Sequence, residues 1–355
     1  MNNSNFTYIY YIMYKRNILF SLIKTTKSYL LVIIVIIAPL IGFSQQEPEF
    51  TQYMYNRLSY NPAYAGSNGA MCLTGFYRNQ WMGLKLTDIK GGKPSTPQTL
   101  NVSFDFPVKF LHGGIGATII SDKIGYWNQT FVKIDYAYRF ELPTGNLAFG
   151  LEAQLFSSAI DFANLVGSDQ INELDEILAT SRDPVLRDAS QQNDFLFDLG
   201  FGAYYQIPGK FYAGFSSSKL METRSEKLKW EDKRHYYLLA GYEWTIPAYP
   251  EFRVLPSALA KFIEPDETGF VNYQINASAL IEYNYMFWGG VNYRIQDAIS
   301  VLGGLTLGGF KLGMSYDIPI TRLKPYGSFE LFVRYCFKVE NQPKPPTSYR
   351  NTRMN

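Results

Sequence analysis

Few side chains in this 355-residue sequence could carry out catalysis or hold a metal: two histidines, His112 and His235, and two cysteines, Cys72 and Cys336. A catalytic reading needs His112 or His235 as base to a serine nucleophile, and neither stands in a motif such as Gly-x-Ser-x-Gly. A four-thiolate or histidine-rich zinc site lacks its ligands. Gly113-Gly114-Ile115-Gly116 and the pairs Gly303-Gly304 and Gly308-Gly309 share only composition with phosphate loops, because no strand-to-helix step accompanies them. Within strands such small residues permit close packing or bending. The reading is of a non-enzyme with no cofactor.

The elements that must position these residues show a period of two. Leu100, Val102, Phe104 and Phe106 alternate with Thr99, Asn101, Ser103 and Asp105, and Val132, Ile134, Tyr136 and Tyr138 alternate with Lys133, Asp135, Ala137 and Arg139. Such alternation marks strands with two different faces. Here one face carries large charges and the other is too aromatic to leave in water. About 14 such segments follow one another between residues 70 and 337, most of the roughly 9–11 residues a tilted membrane strand needs. The joints alternate as well. Those around 107–111, 143–145, 207–210, 247–251 and 284–285 are short, whereas those at 82–97, 121–127, 159–193 and 218–234 hold nearly all the long insertions. Outer-membrane barrels place short turns on the periplasmic side and long loops outside. The expected fold is an all-β transmembrane antiparallel barrel of the outer membrane.

Composition agrees: 17% of residues are aromatic, including 28 Tyr and 26 Phe, and only 18% are charged. The start reads as a basic region ending at Lys27, an apolar run over 29–41 and a small-residue exit at Gly42-Phe43-Ser44, which predicts a signal peptide over 1–44 cleaved before Gln45, with Met13 as an alternative start. Taking the leader's four cations from the 33 in the chain leaves 29 against 31 acids, a balance unlike the concentrated basic face of a nucleic-acid binder. The expected order is leader, periplasmic N-terminal arm or plug at 45–69, barrel at 70–337, and a disordered periplasmic tail at 338–355 containing Pro343, Pro345 and Pro346. In the insertion at 161–194, which has eight acids against Arg182 and Arg187, residues 171–178 have the spacing of a short surface helix. Trp230 in the 219–234 loop is a candidate contact.

Closing a barrel makes its first and last strands neighbours, so Cys72 near the start of one and Cys336 near the end of the other are candidates for a disulfide across the seam, in register and both facing the lumen. A one-residue slip would separate them. Parity also places Arg78 and Gln80 in the lumen with Thr74, and Tyr77 and Trp81 toward lipid. Charges removed from water need partners, and Asp105, Asp135 and Glu152 are candidates for Arg78.

One series of blocks carries more. Gln52-Tyr53-Met54-Tyr55-Asn56 is followed by Asn61-Pro62-Ala63-Tyr64-Ala65-Gly66, then Tyr77-Arg78-Asn79-Gln80-Trp81, Ser121-Asp122-Lys123-Ile124-Gly125, Tyr136-Ala137-Tyr138-Arg139 and Leu147-Ala148-Phe149-Gly150-Leu151. In order and spacing this resembles the PorP/SprF family of outer-membrane proteins of the type IX secretion system in Bacteroidetes, specifically over about residues 50–155. The resemblance implies a barrel embedded in outer-membrane lipid that helps export or display large surface proteins, among them gliding adhesins. Its partners would be secretion components and the C-terminal sorting domains of cargo. The matching residues Asn56, Asn61, Pro62, Tyr64, Gly66, Tyr77, Arg78, Asn79, Gln80, Trp81, Asp122, Lys123, Gly125, Tyr138 and Arg139 become candidates for partner or plug contacts. The 61–66 block reads from its Pro and Gly as a turn seating the arm at the periplasmic mouth, with a docking element as the alternative. A general diffusion or hydrophobic-solute channel is the competing function.

Overall fold

The computed structural model describes residues 47–84, 96–160, 192–225, 230–265, 272–321 and 325–337. The leader, the helix at 171–178 with most of its acidic insertion, the side chain of Trp230 and the tail after 337 lie outside the described residues.

Fourteen strands form one antiparallel barrel: β1 Met71–Asn79, β2 Gln98–Val108, β3 Gly113–Ile124, β4 Trp127–Leu142, β5 Gly145–Ile160, β6 Gln192–Ile207, β7 Phe211–Ser218, β8 His235–Tyr242, β9 Tyr249–Ile263, β10 Asn272–Tyr283, β11 Phe287–Arg294, β12 Ala298–Leu307, β13 Phe310–Pro319 and β14 Ser328–Phe337. Each pairs with its neighbour in sequence, and β1 pairs with β14 to close the ring. A three-residue strand, Trp244–Ile246, prolongs β8 against the start of β9. Closure leaves no open edge, which a lipid environment demands because it offers backbone groups no hydrogen bonds.

The alternation decides which face is which. Ile134 is 60% exposed while its neighbours Lys133 and Asp135 are 2% and 1% exposed. A Lys on the lipid face at mid-membrane costs about 2–4 kcal/mol, so the face bearing Lys133, Asp135 and Glu152 turns inward. Leu100, Val102, Phe104, Tyr77 and Tyr138 point outward; Thr74, Arg78, Asn101 and Asp105 point inward. Five connections of at most four residues and the six-residue joint between β8 and β9 share one end of the barrel, whereas the connection after β1, that between β5 and β6 and that between β7 and β8 share the other.

Along the β1–β14 seam, Cys72 stands opposite Cys336 at the short-turn end and Arg78 opposite Glu330 near the long-loop end. The two cysteines are joined in a disulfide.

Residues 47–70 run inside this ring. Three single turns, Tyr53–Tyr55, Arg57–Tyr60 and Pro62–Tyr64, carry the chain from beside the long-loop ends of β8 and β9, where Glu47 lies, to the short-turn end, where it enters β1. Lacking a period of two, the segment cannot join the sheet. Its Phe50, Tyr53, Tyr55, Tyr60 and Tyr64 instead form the core with inward-facing Phe76, Tyr204, Tyr237, Trp288 and Phe332.

Candidate functional site

The inward wall and the inner segment are held together differently at their two ends. At the long-loop end the contacts are ionic and charge-assisted. Arg78 donates to Asp317 at 2.7 Å and to Glu330 at 3.2 Å. Glu330 also accepts from the backbone N–H groups of Thr51 (2.8 Å) and Gln52 (2.9 Å). The Thr51 hydroxyl accepts from Arg78 and Arg294, each at 3.0 Å, and donates to Asp317 at 2.8 Å. Residues from β1, β11, β13 and β14 thus converge on two residues of the inner segment. Charge-assisted bonds of this kind are shorter and roughly twice as strong as neutral ones.

A second charged cluster surrounds Glu47. Its carboxylate accepts from the Tyr237 hydroxyl at 2.8 Å and lies 3.7 Å from Lys133 Nζ, while Lys261 Nζ donates to the Glu47 carbonyl at 3.1 Å. Burial alone would push this carboxyl up, but Lys133, His235, Lys219 and Lys261 together outweigh it and hold Glu47 well below the usual carboxylate range.

At the short-turn end the contact is made by backbone. Asn61 caps the Pro62–Tyr64 turn by accepting from Ala63 N at 2.9 Å, and its amide donates to the carbonyls of Ala203 on β6 and Phe215 on β7. A Cβ on Gly150 would collide with the Ala63 backbone, and one on Gly114 with Ala65. Gly66 has φ +65° and sits against the backbone of Pro107 and Gly114, where no larger residue fits. Arg139 closes this end, donating to Ala65 O at 2.9 Å and Gly66 O at 3.2 Å.

Several candidate residues therefore meet in one interface: Asn61, Pro62, Tyr64, Gly66, Arg78 and Arg139. Asn56 joins them less directly, accepting from Ser59, which in turn accepts from Asn101 on β2. Tyr77 and Tyr138 face outward, Lys123 is exposed at the end of β3, and Gly125 makes the β3–β4 turn at φ +62°. Asn79, the last residue of β1, accepts from Thr96.

Two placements differ from the sequence reading. Arg78 bonds Asp317 and Glu330, not Asp105, Asp135 or Glu152; Asp105 lies 3.7 Å from Arg334 and Glu152 lies 3.5 Å from Lys133. Parity put Arg78 inside, and its partners lie on the adjoining seam strand β14, where Glu330 stands directly opposite, and on β13 beside it, rather than on β2, β4 or β5. Trp81 does not face lipid. β1 stops at Asn79, so its parity lapses, and a φ of 56° at Trp81 turns the chain toward a cavity of about 430 Å³. The 61–66 block makes a turn at the short-turn end, with Gly66 at φ +65°, and packs there against the inner wall of β3 to β7.

The 430 Å³ cavity lies on the long-loop side of the inner segment and brings Arg78, Gln80, Trp81 and Asp122 together with Glu49 and Arg294. A second cavity of about 210 Å³ lies at the other end, lined by Tyr55, Arg57, Arg253, Lys311 and Arg334 among others. Both walls offer charge and hydrogen bonding, the chemistry of protein contact. Among the described residues no group of three His, Cys, Asp or Glu side chains is disposed to hold a metal ion.

Among solved structures, the chain is similar to the toluene transporter TbuX of Ralstonia pickettii, at 10% identity over 79% of this chain and 93% of that one, with a TM-score of 0.47. It is also similar to the monoaromatic hydrocarbon channel CymD, at 13% identity over 84% and 96% with a TM-score of 0.44, and to a FadL homologue of Pseudomonas aeruginosa, at 10% over 78% and 92% with a TM-score of 0.42. No curated protein matches the chain. The family model described as type IX secretion system membrane protein PorP/SprF matches residues 42–335, spanning the inner segment and nearly the whole barrel, and the chain belongs to this family of outer-membrane secretion components.

Proposed function

We propose that the protein acts without catalysis, as a filled barrel that assists export or surface attachment of large secreted proteins, gliding adhesins among them, through protein–protein contacts. The long-loop end faces outward and the short-turn end faces the periplasm. Residues 47–69 serve as a plug, and the leader over 1–44 is removed on export. The observation that carries this reading is the inner segment, tied to strands around the ring by buried charge at one end and by backbone at the other. A diffusion channel needs an open path along its lumen, and here aromatic side chains of the segment occupy the core. The cavity lined by Arg78, Gln80, Trp81 and Asp122 gives secretion components or cargo sorting domains a polar surface on the outward side.

The test is affinity isolation of tagged protein from gently solubilised outer membranes, with mass spectrometry, beside single-channel recording in planar bilayers. Recovery of secretion components or a large surface protein, with a silent bilayer, supports the proposal. A partner-free barrel that conducts ions steadily would replace it with the channel reading.

A further inference from the structure

The 210 Å³ cavity at the short-turn end has a chemistry that the plug does not explain. Four cations line it, Arg57, Arg253, Lys311 and Arg334, against two carboxylates, Glu243 and Glu282, a net of +2. Both carboxylates are already engaged: Glu243 accepts from Arg253 at 2.9 Å, and Glu282 pairs with Arg253 and with Lys311. Arg57 makes no ion pair among the described residues; its guanidinium donates to Met54 O and the Tyr204 hydroxyl and stacks 3.7 Å from the centre of the Tyr212 ring. The unmet hydrogen bonds are all of one kind. Arg253 Nε, Arg334 Nε and the Tyr55 hydroxyl are buried and have no hydrogen-bond partner among the described residues. Buried donors without acceptors cost about 1–3 kcal/mol each, more when charged, and all three belong to residues that line this cavity. Water supplies an acceptor but no charge.

We propose that this cavity binds an acidic peptide segment of a periplasmic partner, one carrying two neighbouring Asp or Glu side chains. A single carboxylate leaves one positive charge uncompensated, whereas two neutralise the cavity. Arg forks and a tyrosine hydroxyl around a carboxylate make the bidentate, charge-assisted contacts for which Arg is suited. The wall is reachable from the short-turn end, since the side chains of Lys311 and Glu243 are 21% and 27% exposed. The chain's own tail fits poorly. It carries Lys338, Lys344, Arg350 and Arg353 against Glu340. The inference rests on the barrel's orientation and not on the secretion role.

The experiment uses the full-length protein in nanodiscs and blocked peptides labelled with an uncharged fluorophore: Gly-Gly-Glu-Glu-Gly-Gly, its Gln-Gln counterpart, and Gly-Gly-Gln-Gln-Gly-Gly with a free carboxyl terminus. Fluorescence polarisation is expected to show the Glu-Glu peptide binding at least tenfold tighter than the Gln-Gln peptide. Lys311→Gln should weaken that binding at least fivefold and Glu243→Gln should tighten it, both in protein that keeps the heat-modifiable gel mobility of a folded barrel. Opposite shifts are what a charge-reading site requires and what general loosening does not produce. Equal binding of the two blocked peptides, no binding of either, or indifference to both substitutions overturns the proposal. Binding of the free-carboxyl peptide as tight as that of the Glu-Glu peptide would also overturn it, in favour of a site for chain termini.

Discussion

The two ends of the inner segment are fastened by opposite physics. Near the long loops, Thr51 and Gln52 are held by hydrogen bonds to Glu330 and by the Arg78–Asp317–Arg294 cluster, contacts whose strength depends on charge. Near the short turns, the 61–66 block lies so close to β3 and β5 that Gly114 and Gly150 leave room for nothing but a hydrogen. The first fastening can be broken by removing one carboxylate; the second only by changing the shape of the wall. The seam repeats the contrast, with the Arg78–Glu330 pair toward the long loops and the Cys72–Cys336 bridge toward the short turns. A segment with one steric and one electrostatic end could release the charged end while remaining anchored at the other.

The largest expected effect comes from Glu330→Ala. Removing one partner from a buried charged network costs about 3–5 kcal/mol, because the remaining charge is left uncompensated. Hydrogen exchange by mass spectrometry reads this directly, since the amides of Thr51 and Gln52 donate to Glu330. Exchange over residues 50–52 should accelerate by two orders of magnitude or more while 61–66 stays protected. Equal acceleration in both stretches would mean that the segment is one cooperative unit and the contrast is false.

Replacing both Cys72 and Cys336 by Ser sharpens the seam half of the comparison. A bridge between chain-distant residues stabilises by about 2–4 kcal/mol, chiefly by restricting the unfolded chain. The double variant should lose its heat-modifiable mobility at a lower temperature, with exchange at 50–52 unchanged because Arg78 and Glu330 remain paired. A gel transition at the wild-type temperature would assign the bridge no part in holding the seam.

Gly150→Ala is the mirror of Glu330→Ala. The added methyl meets backbone of Ala63, which cannot rotate away, and overpacking of this kind costs about 1–3 kcal/mol. Exchange over 61–66 should accelerate while 50–52 keeps its protection.

These two halves were also unequally legible in the sequence. The alternation around Lys133 and Asp135 named the lumen side of β4, and the spacing of short and long joints gave the order and direction of the strands. The seam register that sets Cys72 opposite Cys336 also sets Arg78 opposite Glu330, so that partner lay within reach of the sequence; the stagger of β13 against β14, which brings Asp317 to the same cluster, did not. The family blocks marked Asn61, Gly66 and Arg139 as candidates without showing that they touch. What brings them together is a path through the lumen by a segment with no period of its own. Trp81 was misplaced for a related reason: parity extrapolates only as far as the strand runs, and β1 ends two residues earlier.

The smallest effect concerns acid. Glu47 is surrounded by Lys133, Lys219, Lys261 and His235, with Tyr237 donating to it, and these hold its carboxyl well below the ordinary value of 4.5. A carboxyl depressed in the folded state contributes stability that is complete above the unfolded value and is lost only as pH falls through the lower, folded one. Moving from pH 7.5 to pH 5.5 stays above that window, so this contribution should not change. Exchange over residues 49–52, corrected for the intrinsic pH dependence of amide exchange, should therefore be the same at both pH values. Glu47→Gln should raise it at both, since it removes the carboxylate charge facing three lysines. If wild-type protection instead fell by pH 5.5, the charged end would be governed by a group other than Glu47, and the electrostatic side of the contrast would rest on the Arg78 cluster alone.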